Sequence, residues 1–222
     1  AEALVRWRLE DGTYLPPSSF VDIFEKNLFC SKLDFYMLKK AIQQIRKWID
    51  MGMNPVNISV NQSKIVFYHE NYISELKSLL EEYNVSGSYI TLEVLESTVI
   101  EDIDMFNSIL TEVKKLGFSV SLDDFGSGYS SLNVLSKLQI DELKIDRIFL
   151  HTKSEVDNQR TKWILESIID IAKKSQILVV VEGVESKQDD LFIKNLGADV
   201  GQGYFYGRPL SISAFNDLIE TK

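Results

Sequence analysis

Ser119-Val120-Ser121-Leu122-Asp123-Asp124-Phe125-Gly126-Ser127-Gly128 reads as a short apolar strand that runs into two carboxylates and then into a glycine-rich turn. A segment of helical period, residues 101–116, precedes it, and a second β-rich run, Glu142 to Asp146, follows. Strand, polar end, helix, strand is the repeating unit of a parallel α/β architecture. Outward from this stretch the same unit recurs. The predicted strands are Glu2 to Trp7, Pro55 to Asn61, Ile90 to Val94, Ser119 to Asp123, Glu142 to Asp146, Leu178 to Glu182 and Val200 to Tyr204.

Between them, Leu33, Met37, Ala41, Ile42, Ile45, Trp48 and Ile49 recur at helical spacing, as do Trp163, Ile164, Ser167, Ile168 and Ile171. Residues 70–83, 101–116, 186–196 and 211–220 also read as helices. Pro16-Pro17-Ser18-Ser19 predicts the entry to a short helix ending near Glu25, and Gly117 and Gly197 stand where left-handed C-terminal caps are expected. No stretch is rich enough in Pro, Ser or Gly to be a linker and no repeat is present, so the whole chain, residues 1–222, is expected to be one domain.

Composition narrows the chemistry. The chain has 33 acidic and 24 basic residues and a net charge of −9, which argues against a duplex nucleic acid held by simple electrostatics. Any anionic ligand would need metal ions or a local cationic patch. The lone Cys30 excludes an internal disulfide and is expected to be a half-buried core thiol, in keeping with a reducing, cytoplasmic location. No apolar run approaches the roughly 18 residues of a membrane span. His69 and His151 are too few and too far apart for a histidine-rich zinc site, so a metal here would have oxygen ligands and be hard, Mg²⁺ or Mn²⁺.

Nearly every predicted strand brings a polar residue suited to metal or phosphate chemistry: Glu2, Asn61, Glu93, Asp123 with Asp124, Lys144, Glu182 and Gln202. One such residue is usually a solvated loop residue or a cap, but in a parallel barrel the strand ends converge on one face, where barrel enzymes keep their active sites. Five of these residues are carboxylates. Against Lys144 and Arg6 they leave the set at −3, and two divalent ions would bring it to +1, a charge that attracts a phosphodiester. Such ions, about 3.5–4 Å apart, can activate water and stabilise a leaving oxygen. The turn at Gly126 to Gly128 is expected to break the strand so that Asp123 and Asp124, adjacent and otherwise divergent, both reach the metals. Mutual repulsion further predicts that Asp123→Asn raises stability without metal.

The same residues fall in seven ordered blocks that resemble the EAL-domain phosphodiesterases of bacterial cyclic di-GMP signalling. The blocks are Glu2-Ala3-Leu4 with Arg6-Trp7, Asn61-Gln62-Ser63, Glu93 to Ser97, Asp123 to Leu132, Lys144 to Arg147, Glu182 to Glu185, and Gln202-Gly203-Tyr204 with Arg208-Pro209. The resemblance implies a (β/α)8 barrel, here starting without the family's first strand. It also implies hydrolysis of cyclic di-GMP to a linear diguanylate with a 5′-phosphate. Glu2, Asn61, Glu93, Asp123 and Asp124 would bind two Mg²⁺ or Mn²⁺ ions. Lys144 would hold or polarise the attacking water, and Glu182 would act as general base or ligand beside Asp124. Arg6 would meet a substrate phosphate, with Leu4, Gln202, Asp146 and Glu185 also on the substrate side.

The resemblance further implies a homodimer, coupled to the metals through Ser127 to Leu132 and Glu96, and a larger cytoplasmic or membrane-anchored signalling protein with sensory or GGDEF-type domains. Leu95, Ser127 and Val181 depart from the family's usual threonine, threonine and alanine. Ser127 keeps the hydroxyl, whereas Leu95 and Val181, with the missing first strand, leave open an alternative, a catalytically impaired receptor or dimerising scaffold.

Overall fold

The computed structural model describes residues 1–27, 29–96, 103–127, 132–150 and 155–220. Two compact units follow each other in the chain, Ala1–Val120 and Ser121–Lys222. The first holds a small hairpin of β1 (Trp7–Arg8) and β2 (Tyr14–Leu15), then α1 (Val21–Lys26), α2 (Cys30–Asp50), β3 (Ile58–Gln62), α3 (Lys64–Phe67), α4 (Tyr72–Tyr83), β4 (Ile90–Leu95) and α5 (Ile103–Lys115), and it ends two residues into β5 (Ser119–Phe125). The second continues β5 and adds α6 (Leu132–Lys137), β6 (Glu142–Ile145), α7 (Glu155–Lys174), β7 (Leu178–Val181), α8 (Lys187–Leu196), β8 (Val200–Gly201) and α9 (Ile212–Glu220). Strands β3 and β4 are neighbours in the first unit, and β5 to β8 follow one another in chain order in the second, the order that right-handed βαβ units produce. The expected α/β class is therefore the class of this chain.

In the first unit β3 and β4 are parallel, and their register sets Asn61 level with Glu93. Val60, Ile90, Leu92 and Val94 are wholly buried, as are Leu38, Ile42 and Ile45 of α2. Runs buried on both faces are what a parallel sheet under helices requires. The expected stripe of α2 is turned by about one residue: the buried positions are Cys30, Asp34, Leu38, Ala41, Ile42, Gln44, Ile45 and Trp48. Leu33, Met37 and Ile49 flank them half-buried. Cys30, expected to be half-buried, is a core thiol only 3% exposed.

The predicted strand Glu2 to Trp7 is not a strand over that length. Glu2 makes one parallel bridge to Ser59, with Ala3 N–H donating to Ser59 O (2.9 Å) and Ser59 N–H to Ala1 O (2.7 Å). Beyond it the chain leaves the sheet, because Trp7 pairs into the antiparallel hairpin and stacks with Phe20 and Phe24 at ring separations of 5.5 and 5.6 Å. Pro17–Ser19 form a 3-10 turn before α1, and no side chain caps it.

In the second unit β6 pairs in parallel with β5 and β7, and β7 with β8. The expected apolar stripe on α7 is corrected. Leu165, Ile168, Ile169 and Ala172 are the buried face, whereas Trp163, Ile164 and Ile171 are exposed. Ile168 of the expected stripe is buried as expected, and the buried face is turned by about one residue from Trp163, Ile164 and Ile171. Gly197 caps α8 in the left-handed conformation as expected, and α8 begins with an unforeseen capping box between Ser186 and Asp189. Strands β7 and β8 stop at Val181 and Gly201, short of the expected Glu182 and Tyr204.

Candidate active site

Two groups of the predicted residues assemble, one in each unit. In the second, β5 and β6 fall out of step: Leu122 is level with Leu143 and Phe125 with Ile145, so Asp123 and Asp124 together stand opposite the single residue Lys144. This is a β-bulge, the device that re-aims side chains at the end of a strand. Asp124 supplies the extra residue by taking a left-handed backbone, φ 56°, which an aspartate tolerates better than most residues. Asp123 Oδ1 accepts the Asp124 N–H at 3.0 Å. The break therefore comes at Asp124 itself, before the glycine turn expected to make it. Gly126 serves a packing role instead, because an added Cβ would run into the Phe149 ring and its φ of 100° suits glycine. Gly128 to Ser131 of the expected coupling loop lie outside the described residues, as does Ser97.

The bulge brings both carboxylates beside Glu182, and Asp123 faces a buried lysine. Lys144, 2% exposed, sits with Nζ 3.0 Å from Asp123 Oδ1 and 2.8 Å from Glu182 Oε1. Glu182 immediately follows β7, its N–H bonded to Ile145 O at 2.9 Å, which fixes it beside β6. Carboxylate oxygens of Asp123, Asp124 and Glu182 lie within 4.8 Å of one another. An octahedral Mg²⁺ with bonds of about 2.1 Å would set opposite oxygens about 4.2 Å apart, so a small contraction would gather these groups round one hard ion. All are anionic oxygen donors, and the residues fit such an ion.

Lys144 also overturns the expectation for Asp123→Asn. Like-charge repulsion was the reason to expect a gain in stability, but Asp123 faces a buried ammonium, and loss of its charge removes part of that ammonium's compensation.

In the first unit Asn61 Nδ2 donates to Glu2 Oε1 at 3.1 Å, so the lone bridge of the N-terminal segment suffices to bring these two together. Glu93, level with Asn61 on the next strand, is 1% exposed, a depth at which a carboxylate needs cationic or hydrogen-bonding partners.

The family model for the EAL domain matches residues 1–209. The chain belongs to the EAL-domain family. It is 34% identical over 209 residues to the bifunctional diguanylate cyclase/cyclic di-GMP phosphodiesterase MucR of Pseudomonas aeruginosa, covering 94% of this chain and 30% of that protein. It is 32% identical over 215 residues to the cyclic di-GMP phosphodiesterase PdeR of Escherichia coli, covering 96% and 32%. The chain thus spans about a third of the length of these curated relatives. Among solved structures, the PaMucR phosphodiesterase in complex with c-di-GMP matches with a TM-score of 0.87 and 33% identity over 96% of this chain and 86% of that one.

The other predicted positions of this EAL domain are less concentrated. Leu4 is 42% exposed, and Arg6, also exposed, donates to the neighbouring Val5 O at 2.7 Å. Asp146 Oδ1 accepts the Ile148 N–H at 2.7 Å and so caps the 3-10 turn Arg147–Phe149. Glu185 is exposed and its N–H donates to Asp189 Oδ2 at 3.1 Å. Gln202 extends the β7–β8 pairing, with its N–H on Val181 O (2.9 Å) and its carbonyl accepting from Val184 (3.0 Å). Glu96 is buried at the end of β4, whereas its neighbour Leu95 is 39% exposed. Val181 is wholly buried within the β7 ladder. Among the described residues no helix is long and apolar enough to cross a membrane.

Sequence reading passed over Asp34, a buried aspartate on α2 whose Oδ2 accepts from both the backbone N–H (2.9 Å) and the hydroxyl (2.5 Å) of Ser63. The signal was present: Asp34 is spaced by four from Cys30 and Leu38, on the apolar face.

Proposed function

We propose that this EAL domain hydrolyses cyclic di-GMP, opening one phosphodiester bond to give linear diguanylate with a 5′-phosphate. The observation that carries the reading is the buried Lys144 held between Asp123 and Glu182, next to a third carboxylate that the bulge turns to the same place. A purely structural ion pair has no need of the extra acid. The names of the relatives supply the substrate class, and the fit of the oxygen donors supports Mg²⁺ or Mn²⁺ as the resident metal.

Asp123, Asp124 and Glu182 would hold one ion in the second unit, and Glu2, Asn61 and Glu93 would hold another in the first. Bound there, divalent ions would lower the pKa of water and stabilise charge on the phosphate. Lys144 directs its ammonium at the attacking water and neutralises the carboxylates around it. Glu182 takes that water's proton as the new P–O bond forms. The P–O3′ bond breaks, and the departing 3′ oxygen would take its proton from solvent. Arg6 is the guanidinium that pairs with a substrate phosphate, together with Leu4, Gln202, Asp146 and Glu185 around the guanosines. The homodimer and the cytoplasmic signalling protein implied by the resemblance belong to the same proposal.

Purified protein incubated with cyclic di-GMP and Mn²⁺ or Mg²⁺ should yield the linear product on chromatography, and Lys144→Ala should bind the dinucleotide without opening it. Recovery of intact, tightly bound cyclic dinucleotide from the parent protein would replace hydrolysis with the receptor role.

A further inference from the structure

We propose that Asp34 is a positioning residue for metal binding, acting through Ser63 and Gln62 to fix the Asn61 carboxamide; the role rests on the metal site proposed above. Asp34 is 7% exposed on the face of α2 that otherwise buries Cys30, Leu38 and Ile42. A carboxylate there is costly unless charge-assisted hydrogen bonds offset the loss of water. It receives two, from the N–H and the Oγ–H of Ser63.

Ser63 stands at the N-cap of α3, where a serine ordinarily turns its oxygen to the helix amides. Here the side chain makes no cap bond and its hydroxyl goes to Asp34. Local helix stability is given up for a tether to α2. Gln62, one residue earlier and 5% exposed, is held from another side: the Tyr72 hydroxyl of α4 donates to Gln62 Oε1 at 3.1 Å, and Gln62 Nε2 donates to the Asn61 carbonyl at 2.9 Å.

The end of β3 is thus fastened by α2 and α4 at the two residues after Asn61, while the Asn61 carboxamide, exposed, meets Glu2 and stands level with Glu93. Alternation along a strand explains the division of labour, because Gln62 points into the protein where Asn61 points out. A strand end anchored in this way holds its carboxamide in one direction. A single backbone–sheet ladder ending at Gln62 would let it fray.

The test uses Mn²⁺ alone, by calorimetry on the whole chain, with Asp34→Ala, Asp34→Asn, Ser63→Ala and the α2 core control Ile42→Val. Asp34→Ala should weaken Mn²⁺ binding about tenfold or more, the range typical of groups that orient a ligand. Asp34→Asn, which keeps an acceptor oxygen, should restore part of the affinity. Ser63→Ala, which keeps the backbone N–H bond to Asp34, should weaken binding with a smaller loss of stability than Asp34→Ala, so it serves if Asp34→Ala does not fold. Ile42→Val should lower the melting temperature without changing affinity. In the metal-free protein, the Asn61 carboxamide NMR resonances should move in Asp34→Asn and Ser63→Ala but not in Ile42→Val.

Parental Mn²⁺ affinity in Ser63→Ala and Asp34→Asn, with unmoved Asn61 resonances, would overturn the role and reduce Asp34 to a fold-stabilising group. If the parent itself binds no Mn²⁺, the metal reading fails. Moved Asn61 resonances would then still support Asp34 as the anchor of the strand end, and unmoved ones would overturn it.

Discussion

Replacement of Lys144 by methionine keeps the length and packing of the side chain and deletes only the ammonium. That ammonium is 2% exposed and lies 3.0 and 2.8 Å from carboxylates whose side chains are 10% and 20% exposed. At an effective dielectric constant of about 20, the two contacts have gross Coulomb energies of about 5.5 and 5.9 kcal/mol. Desolvation of three charged groups offsets much of this, and removal of one member of a buried pair costs about 3–5 kcal/mol in net stability.

The variant also leaves Asp123, Asp124 and Glu182 with oxygens within 4.8 Å of one another and without the ammonium that Lys144 places against them. At that spacing each pair repels by about 3.5 kcal/mol on the same scale. For a chain of this size each kcal/mol moves the melting temperature by about 2–4 °C, so metal-free Lys144→Met should melt about 6–20 °C below the parent. Mn²⁺ should then restore more to the variant than it adds to the parent, because the ion enters a site with one more uncompensated negative charge. Differential scanning fluorimetry with and without Mn²⁺ measures both effects. A metal-free melting temperature within about 2 °C of the parent, or a Mn²⁺ shift smaller than the parent's, would refute the picture of Lys144 as the cation that stands in among the carboxylates.

Other perturbations probe neighbouring features. Asp123→Asn should lower metal-free stability, since it takes one of two carboxylate charges away from the buried Lys144 ammonium; a rise in melting temperature would restore the repulsion argument. At the bulge, φ 56° at Asp124 predicts that Asp124→Ala is less stable than Asp124→Gly by about 1 kcal/mol in urea unfolding, although both lose metal affinity. Equal stabilities would mean that the left-handed backbone is absent. Glu142, at the start of β6, has its carboxyl pushed up by burial from the usual 4.5. An acid with a raised folded pKa binds more protons folded than unfolded, so its charge weakens the fold as pH rises through that pKa. Glu142→Gln should therefore melt higher than the parent at neutral pH, with the gain fading towards about pH 4; a gain independent of pH would rule out this cause.

Much of this arrangement was legible because parallel strands buried on both faces are short apolar runs, and the residues around their C-terminal ends are the only places on them where polar chemistry is tolerated. That logic found Asn61, Glu93, Asp123 and Glu182 without any view of their neighbours. It misjudged Glu2 to Trp7 because β-rich composition says nothing about partners, and Trp7 found aromatic company outside the sheet. The bulge was hidden for a related reason. A one-residue slip between β5 and β6 depends on both strands at once, and the local glycines drew attention to a turn two residues too late. On α7 two apolar stripes competed, and only packing could choose between them. Asp34 was overlooked because a charged residue in a helix is ordinarily solvated, and its partner Ser63 lies 29 residues away.

Hydrolysis run in water enriched in oxygen-18, with Mn²⁺ and mass analysis of the nucleotide products, asks directly whether these residues make a phosphodiesterase. Linear diguanylate with the label on its 5′-phosphate, formed by the parent and absent with Lys144→Met, is the expected result. Cyclic di-GMP that stays intact, or a linear product formed equally well without Lys144, would contradict it.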